Sequence, residues 1–206
     1  MHLEDALHQI RAIRGQLARS EIYKGTRAGT LAATAMIANI GALLQPFAIE
    51  RPELQPNVYV LFWTGAAIAA ASIVSAQILY TYIRCPREHE RATTRAAFFA
   101  VIPPIAIGAL VSAVLAARNH HDLLPGLWPI FISLTLFSIR PLLPRAIGYV
   151  ALGYALAGAC ILIFLSGPAA FSPWVMGLTF TIGQLATALV LYWNLERRDE
   201  PAEAEE

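Results

Sequence analysis

The side chains able to do chemistry are few, and their positions limit what chemistry is open. The densest polar group is Arg118-Asn119-His120-His121-Asp122. Imidazole beside carboxylate suits Zn²⁺ or Cu²⁺ ligation, or a group that titrates near neutral pH. Neighbours on one helix point apart, so His120, His121 and Asp122 converge only in a loop; a solvated loop is the plainer reading. A second set is neutral: Asn39, Ser75, Gln77, Thr181 and Gln184. Thr181 and Gln184 lie three apart, on one face of a helix. They suit a neutral-solute pocket or narrow pore, or interhelical hydrogen bonds worth about 1 kcal/mol each. A third set is backbone chemistry. Pro103-Pro104 remove two amide donors inside an apolar run and predict a kink. A kinked segment beside a short one is where a cavity is expected. Arg140-Pro141 and Pro144-Arg145 form a basic turn suited to anionic lipid or a partner protein, or to anchoring topology alone.

What is missing narrows the class further. No Asp, Glu, Lys or His falls inside an apolar run. Coupled ion or proton transport normally places such a group in the membrane. Intramembrane aspartyl or serine-histidine hydrolysis lacks its residues, and Asp5, Asp122 and Asp199 are isolated from one another. His2, His8 and His89 fall on one side and His120 and His121 share one loop, which leaves no pair to hold a haem between helices. The residues therefore point to no catalytic site and no cofactor. A net charge of +1 gives no drive toward nucleic acid.

The elements that must position these residues are membrane helices. Of 206 residues, 57% are hydrophobic and 14% charged, against about 45–50% and 25% in soluble domains. Six apolar runs stand between polar breaks: Arg27–Ala48, Val58–Ile83, Ala96–Ala117, Leu123–Ser138, Ala146–Leu165 and Trp174–Trp193. A hydrocarbon core of about 30 Å needs about 20 helical residues. The fourth run, at about 24 Å, is short. The expected fold is all-α: a polytopic bundle of six transmembrane helices (27–194), an N-terminal amphipathic helix (1–26) and an acidic tail (195–206). Thirteen of the fifteen basic residues fall on one set of alternating breaks, leaving Arg51 and Arg118 on the other. By the positive-inside bias both termini are cytoplasmic, and the fourth run must span for the count to hold. Tyr59, Trp63, Trp128 and Trp174 are expected in the outer aromatic belt. Tyr23, Tyr80, Tyr82, Tyr192 and Trp193 are expected in the inner one.

Leu3, Leu7, Ile10, Ile13 and Leu17 recur at helical spacing, with Glu4, His8, Arg11 and Arg19 in other directions; Arg11 and Arg14 are candidate contacts to a partner or to lipid. This stripe suits the membrane interface or a soluble partner. Gly25/Gly29/Ala33, Gly65/Ala69, Gly108/Ser112/Ala116 and Gly153/Ala157 make small-residue seams. They serve helix packing in the bundle, or dimerisation.

The run Pro125-Gly-Leu-Trp-Pro129, the turn Arg140-Pro-Leu-Leu-Pro-Arg145, the stretch Ser172 to Gln184 and the closing Leu-Tyr-Trp-Asn-Leu-Glu196 belong together. With the opening Leu3 to Gly15, they resemble a family of small uncharacterised bacterial six-span integral membrane proteins. The resemblance covers most of the chain. It implies an inner-membrane protein with a regulatory or sensing role, its members being encoded beside a small winged-helix regulator. It supplies no catalytic residues. Two functional classes follow. One is a non-enzymatic sensor or scaffold holding a cytoplasmic partner. The other is a small transporter or channel for a neutral or anionic solute, as a homodimer or alone.

Overall fold

A computed structural model describes residues 27–84, 88–165 and 167–197. The amphipathic segment with Arg11 and Arg14, and most of the acidic tail, lie outside the described residues. Within them the chain forms six helices: α1 (Ala28–Ala48), α2 (Pro56–Arg84), α3 (Glu88–Ala117), α4 (Leu124–Ile139), α5 (Ile147–Phe164) and α6 (Pro173–Leu191). No strand occurs among the described residues. All six helices, with their flanking turns, are long and apolar enough to cross a membrane, as in a multi-pass membrane protein.

Local sequence sets the boundaries. Pro56 and Pro173 open α2 and α6, and Pro125 lies in the first turn of α4. Proline suits the first helical turn, where its missing amide hydrogen has no partner to lose. The short α4 is lengthened at both ends. A 3₁₀ turn at His121–Leu123 precedes it and another at Arg140–Leu142 follows. Together they make a 22-residue span. α3 begins eight residues before the predicted start, because the charged turn before Ala96 is itself helical. It also runs through Pro103 and Pro104 unbroken.

The helices are arranged in a ring. The most extensive contacts join α1 to α6 and α4 to α5; α3 meets α4, α1 meets α2, and α5 meets α6. α2 and α3 are consecutive in the sequence yet meet only sparsely. Lipid is as apolar as leucine, so packing between membrane helices rests on close van der Waals fit. Glycine provides that fit at five places. Gly177 of α6 lies against Ala42 of α1. Gly126 and Gly158 bring the α4 and α5 backbones together. Elsewhere glycine makes room for a ring. Trp63 covers Gly41, with ring carbon Cζ3 3.3 Å from where a Cβ would stand. Phe131 covers Gly108 at 3.1 Å, and Tyr154 covers Gly183. Among the described residues of the small-residue seams read from sequence, Gly108 packs in this way; Gly25 lies outside them. Gly29, Gly65 and Gly153 face open space.

Two apolar clusters close the ends. At one end Ala42, Ile49, Tyr59, Trp63, Phe171 and Met176 pack together. This is the loop end, where α1–α2, α3–α4 and α5–α6 connect. At the other, Ala28, Leu31, Ile147, Ala188 and Leu191 pack together, with Val74 against them. This is the basic end, where α2–α3 and α4–α5 connect.

Candidate functional site

The loop end carries the best-connected polar group. Gln45, on the last turn of α1, is 1% exposed. Its Nε2 donates to the Phe171 carbonyl at 2.8 Å, and its Oε1 accepts from Trp63 Nε1 at 2.9 Å. One amide thus ties α1 to α2 and to the 3₁₀ turn Gly167–Phe171. Tyr59 stacks edge-on against Phe171, with ring centroids 5.0 Å apart. Its hydroxyl is buried without a partner. Sequence reading singles out Gln77 and Gln184 but passes over Gln45. The available signal was that Gln45 is the only glutamine in the first apolar run.

His121 belongs to the same end. Asn119 adopts a left-handed φ of 61°, which asparagine tolerates better than most residues. The His120 amide then donates back to Leu115 O at 2.9 Å and the Asn119 amide to Ala116 O at 3.1 Å. This is the Schellman pattern that ends a helix, and it turns the chain so that His121 enters the bundle. His121 is buried, and its Nε2 lies 2.9 Å from Asn57 Oδ1 on α2. With the amide oxygen accepting, Nε2 carries the hydrogen. His120 is exposed, so the two imidazoles part instead of converging. Among the described residues no three His, Cys, Asp or Glu side chains gather to hold a metal ion. Trp128 Nε1 donates to Ser112 Oγ at 3.0 Å, joining α4 to α3. These contacts revise the aromatic belt. Tyr59 and Trp63 are core residues and Trp128 is half-buried, while Trp174 is exposed. At the basic end Tyr80, Tyr192 and Trp193 are exposed and Tyr82 half-buried, in keeping with a belt there.

The sequence-selected polar residues do not gather in one place. Thr181 Oγ1 donates to Ala35 O at 3.3 Å, a bridge from α6 to α1. Asn39 and Gln184 are half-buried. Gln77 lies one turn beyond Val74 on α2, toward the basic end; its Oε1 is buried without a partner. Tyr154 also buries an unpartnered hydroxyl. Pro104 is buried and Pro103 exposed. One turn along from Pro104, the Phe131 ring takes the space beside Gly108. Arg140 folds against Gly148, its Nε 3.2 Å from where a Cβ would stand; Arg145 is exposed.

Several hydroxyls serve the backbone of their own helix. Thr34, Thr135, Ser138 and Thr187 each donate to a carbonyl three or four residues back at 2.8–2.9 Å. Such bonds satisfy a polar group in an apolar medium without a second helix. The arrangement gives cross-links between helices. The chain matches no family model, no curated protein and no solved structure.

Proposed function

We propose that the chain is a non-enzymatic sensor or scaffold of the bacterial inner membrane, with both termini cytoplasmic and its basic end engaging a cytoplasmic, regulatory partner. The observation that carries this reading is how the span polar groups are used. Gln45, Thr181, Ser112 and His121 hold helix to helix, and Thr34, Thr135, Ser138 and Thr187 bond their own helix. A transport path needs such groups to face a solute; here they face protein. The charge bias and the family resemblance support the orientation and the regulatory setting.

The test is in-cell cross-linking from the basic end, comparing the intact chain with one lacking residues 1–22. A cytoplasmic protein recovered with the intact chain and lost from the shortened one is expected. Equal recovery from both defeats the docking role of that segment. A small transporter or channel for a neutral or anionic solute is the second reading, favoured by the unpartnered Gln77 Oε1 and Tyr154 hydroxyl. Liposome flux that falls in Gln77→Ala and Tyr154→Phe would select it over the scaffold.

A further inference from the structure

α1 carries two carboxamides, and the bundle uses one of them. Gln45 makes the two cross-links described above. The Asn39 amide has no hydrogen-bond partner among the described residues. Asn39 stands in the middle of the 21-residue helix, at least about 13 Å from either end. So short a side chain cannot reach the headgroup layer from there. The local remedy is taken as well. Asn194 donates to the carbonyl four residues back, Val190 O, at 2.8 Å. For Asn39 that carbonyl is Ala35 O, which already accepts from Thr181 Oγ1. The Asn39 Oδ1 finds no donor in its own helix, whose amide hydrogens are engaged. An amide left without a bond in an apolar medium is costly.

The neighbours of Asn39 show the direction in which it is open. Ala35 and Ala42, four back and three on, are buried against α6, where Ala42 meets Gly177. Met36 and Leu43, three back and four on, are 64% and 51% exposed. Asn39 stands on the border, half-buried, with α6 on one side and lipid on the other. Gly29, Ala32, Met36, Asn39, Leu43 and Pro46 follow one another at alternating spacings of three and four. This is the seam of a left-handed helix pair, with a single asparagine set in it. Gly29 faces open space, and Pro46 is exposed. Gln184 differs. It too is half-buried, but Thr187, Ala188 and Leu191, which share its face, are all buried, so it looks into the bundle.

We propose that this seam is covered by a second copy of the chain, α1 against α1 about a two-fold axis along the membrane normal. Two copies inserted with the same topology carry every residue at the same depth, so Asn39 meets Asn39 without any shift of level. A carboxamide is both donor and acceptor, and the pair closes on itself through Nδ2–H···Oδ1 bonds. An acyl chain offers neither group, and α1 carries no charge to draw a charged ligand. The interface is independent of what the basic end engages.

The test is Förster transfer between donor- and acceptor-labelled full-length chains in phosphatidylcholine vesicles, read against the protein-to-lipid ratio. Transfer that saturates and is linear in the acceptor fraction, as a dimer gives, is expected. Asn39→Leu is expected to need about tenfold more protein per lipid for the same transfer, the worth of one interhelical hydrogen bond. Cross-linking locates the seam with Asn39 intact. In a C85S/C160S chain, L43C is expected to form a disulfide-linked dimer when membranes are oxidised. L44C, about 100° round the helix, is expected not to. The proposal is overturned by transfer no greater than that of unassociated chains at every ratio, or by transfer curved in the acceptor fraction, which means a larger assembly. It is also overturned by N39L chains that associate normally, or by equal cross-linking at the two positions, which means random collision. Should N39L fail to fold, the L43C and L44C pair decides alone, because both chains keep Asn39.

Discussion

The two ends of α2 are held by different means. At the loop end it is tied on several sides: Trp63 to Gln45, Tyr59 to Phe171, and Asn57 to His121. Toward the basic end its inward stripe shrinks to Ala66, Ala70 and Val74, then Gln77 with its unpartnered oxygen. Beyond that, stacked Arg–Tyr pairs take over. One end is thus cross-linked by hydrogen bonds and a ring cluster. The other is positioned by one aliphatic contact and by sparse packing on α3. Stability should reside at the loop end, leaving the basic end available to present a surface.

Glycine variants sharpen this contrast most. Gly177→Val forces a side chain into Ala42 at the α1–α6 seam. Overpacking of this kind costs about 1–3 kcal/mol, and a backbone seam with little slack should reach the upper limit. Thermal unfolding in detergent reads it. Gly65→Val on the open face of α2 is expected to change stability by less than about 0.5 kcal/mol. A comparable loss at both sites would mean that α2 is covered on its outward face.

Gln45 against Gln77 is the next comparison. Gln45→Leu removes two buried bonds and strands Phe171 O and Trp63 Nε1. Hydrogen bonds between membrane helices are worth about 0.6 kcal/mol on average and up to about 1.7. A loss of about 2 kcal/mol is therefore expected. Gln77→Leu removes an oxygen that has no partner and should be neutral or stabilising. Urea or sodium dodecyl sulfate titration separates the two.

The histidine pair gives a smaller step. His121→Ala breaks the link to Asn57 and should cost about 1 kcal/mol. His120→Ala should cost nothing measurable, because its ring is exposed. Equal effects would show that the loop acts as a unit. Zn²⁺ added to the intact protein is expected to leave the unfolding temperature unchanged, since only one of the two imidazoles is turned into the bundle.

Much of the architecture was legible because a bilayer imposes a length. Six runs of apolar residues between charged breaks predict six helices, and the predicted ends of α1, α5 and α6 fall within one or two residues of the observed ones. The seams were less legible. A small-xxx-small pattern marks a helix face but does not say what fills it. Gly183 accommodates Tyr154 and Gly41 accommodates Trp63. In each case the partner is a ring on another helix. Gly65 and Ala69 fit the pattern as well, yet Gly65 faces open space. Tyr59 and Trp63 show the same limit. An aromatic near a span end reads as belt, and only the neighbouring 3₁₀ turn, with Phe171, makes it core. The histidine pair was ambiguous for a backbone reason. The left-handed Asn119 decides which ring turns inward, and that conformation is a property of the turn, not of the ligand types.

The smallest expected effect lies at the basic end, and there the sign of the result matters more than its size. Arg84→Ala removes a guanidinium from the Tyr80 ring, a contact worth about 0.5–1 kcal/mol at an exposed site. That pair lies within one helix, four residues apart, so it adds little to how α2 sits on its neighbours. Unfolding should shift by no more than about 0.5 kcal/mol, while hydrogen exchange shows α2 amides near Arg84 opening more readily than those near Trp63 in both proteins. The gradient follows from where the buried apolar contacts lie along one helix. If Arg84→Ala instead destabilises as much as Gln45→Leu, both ends of α2 bear load. The contrast between a fixed end and a presenting end then fails for this helix.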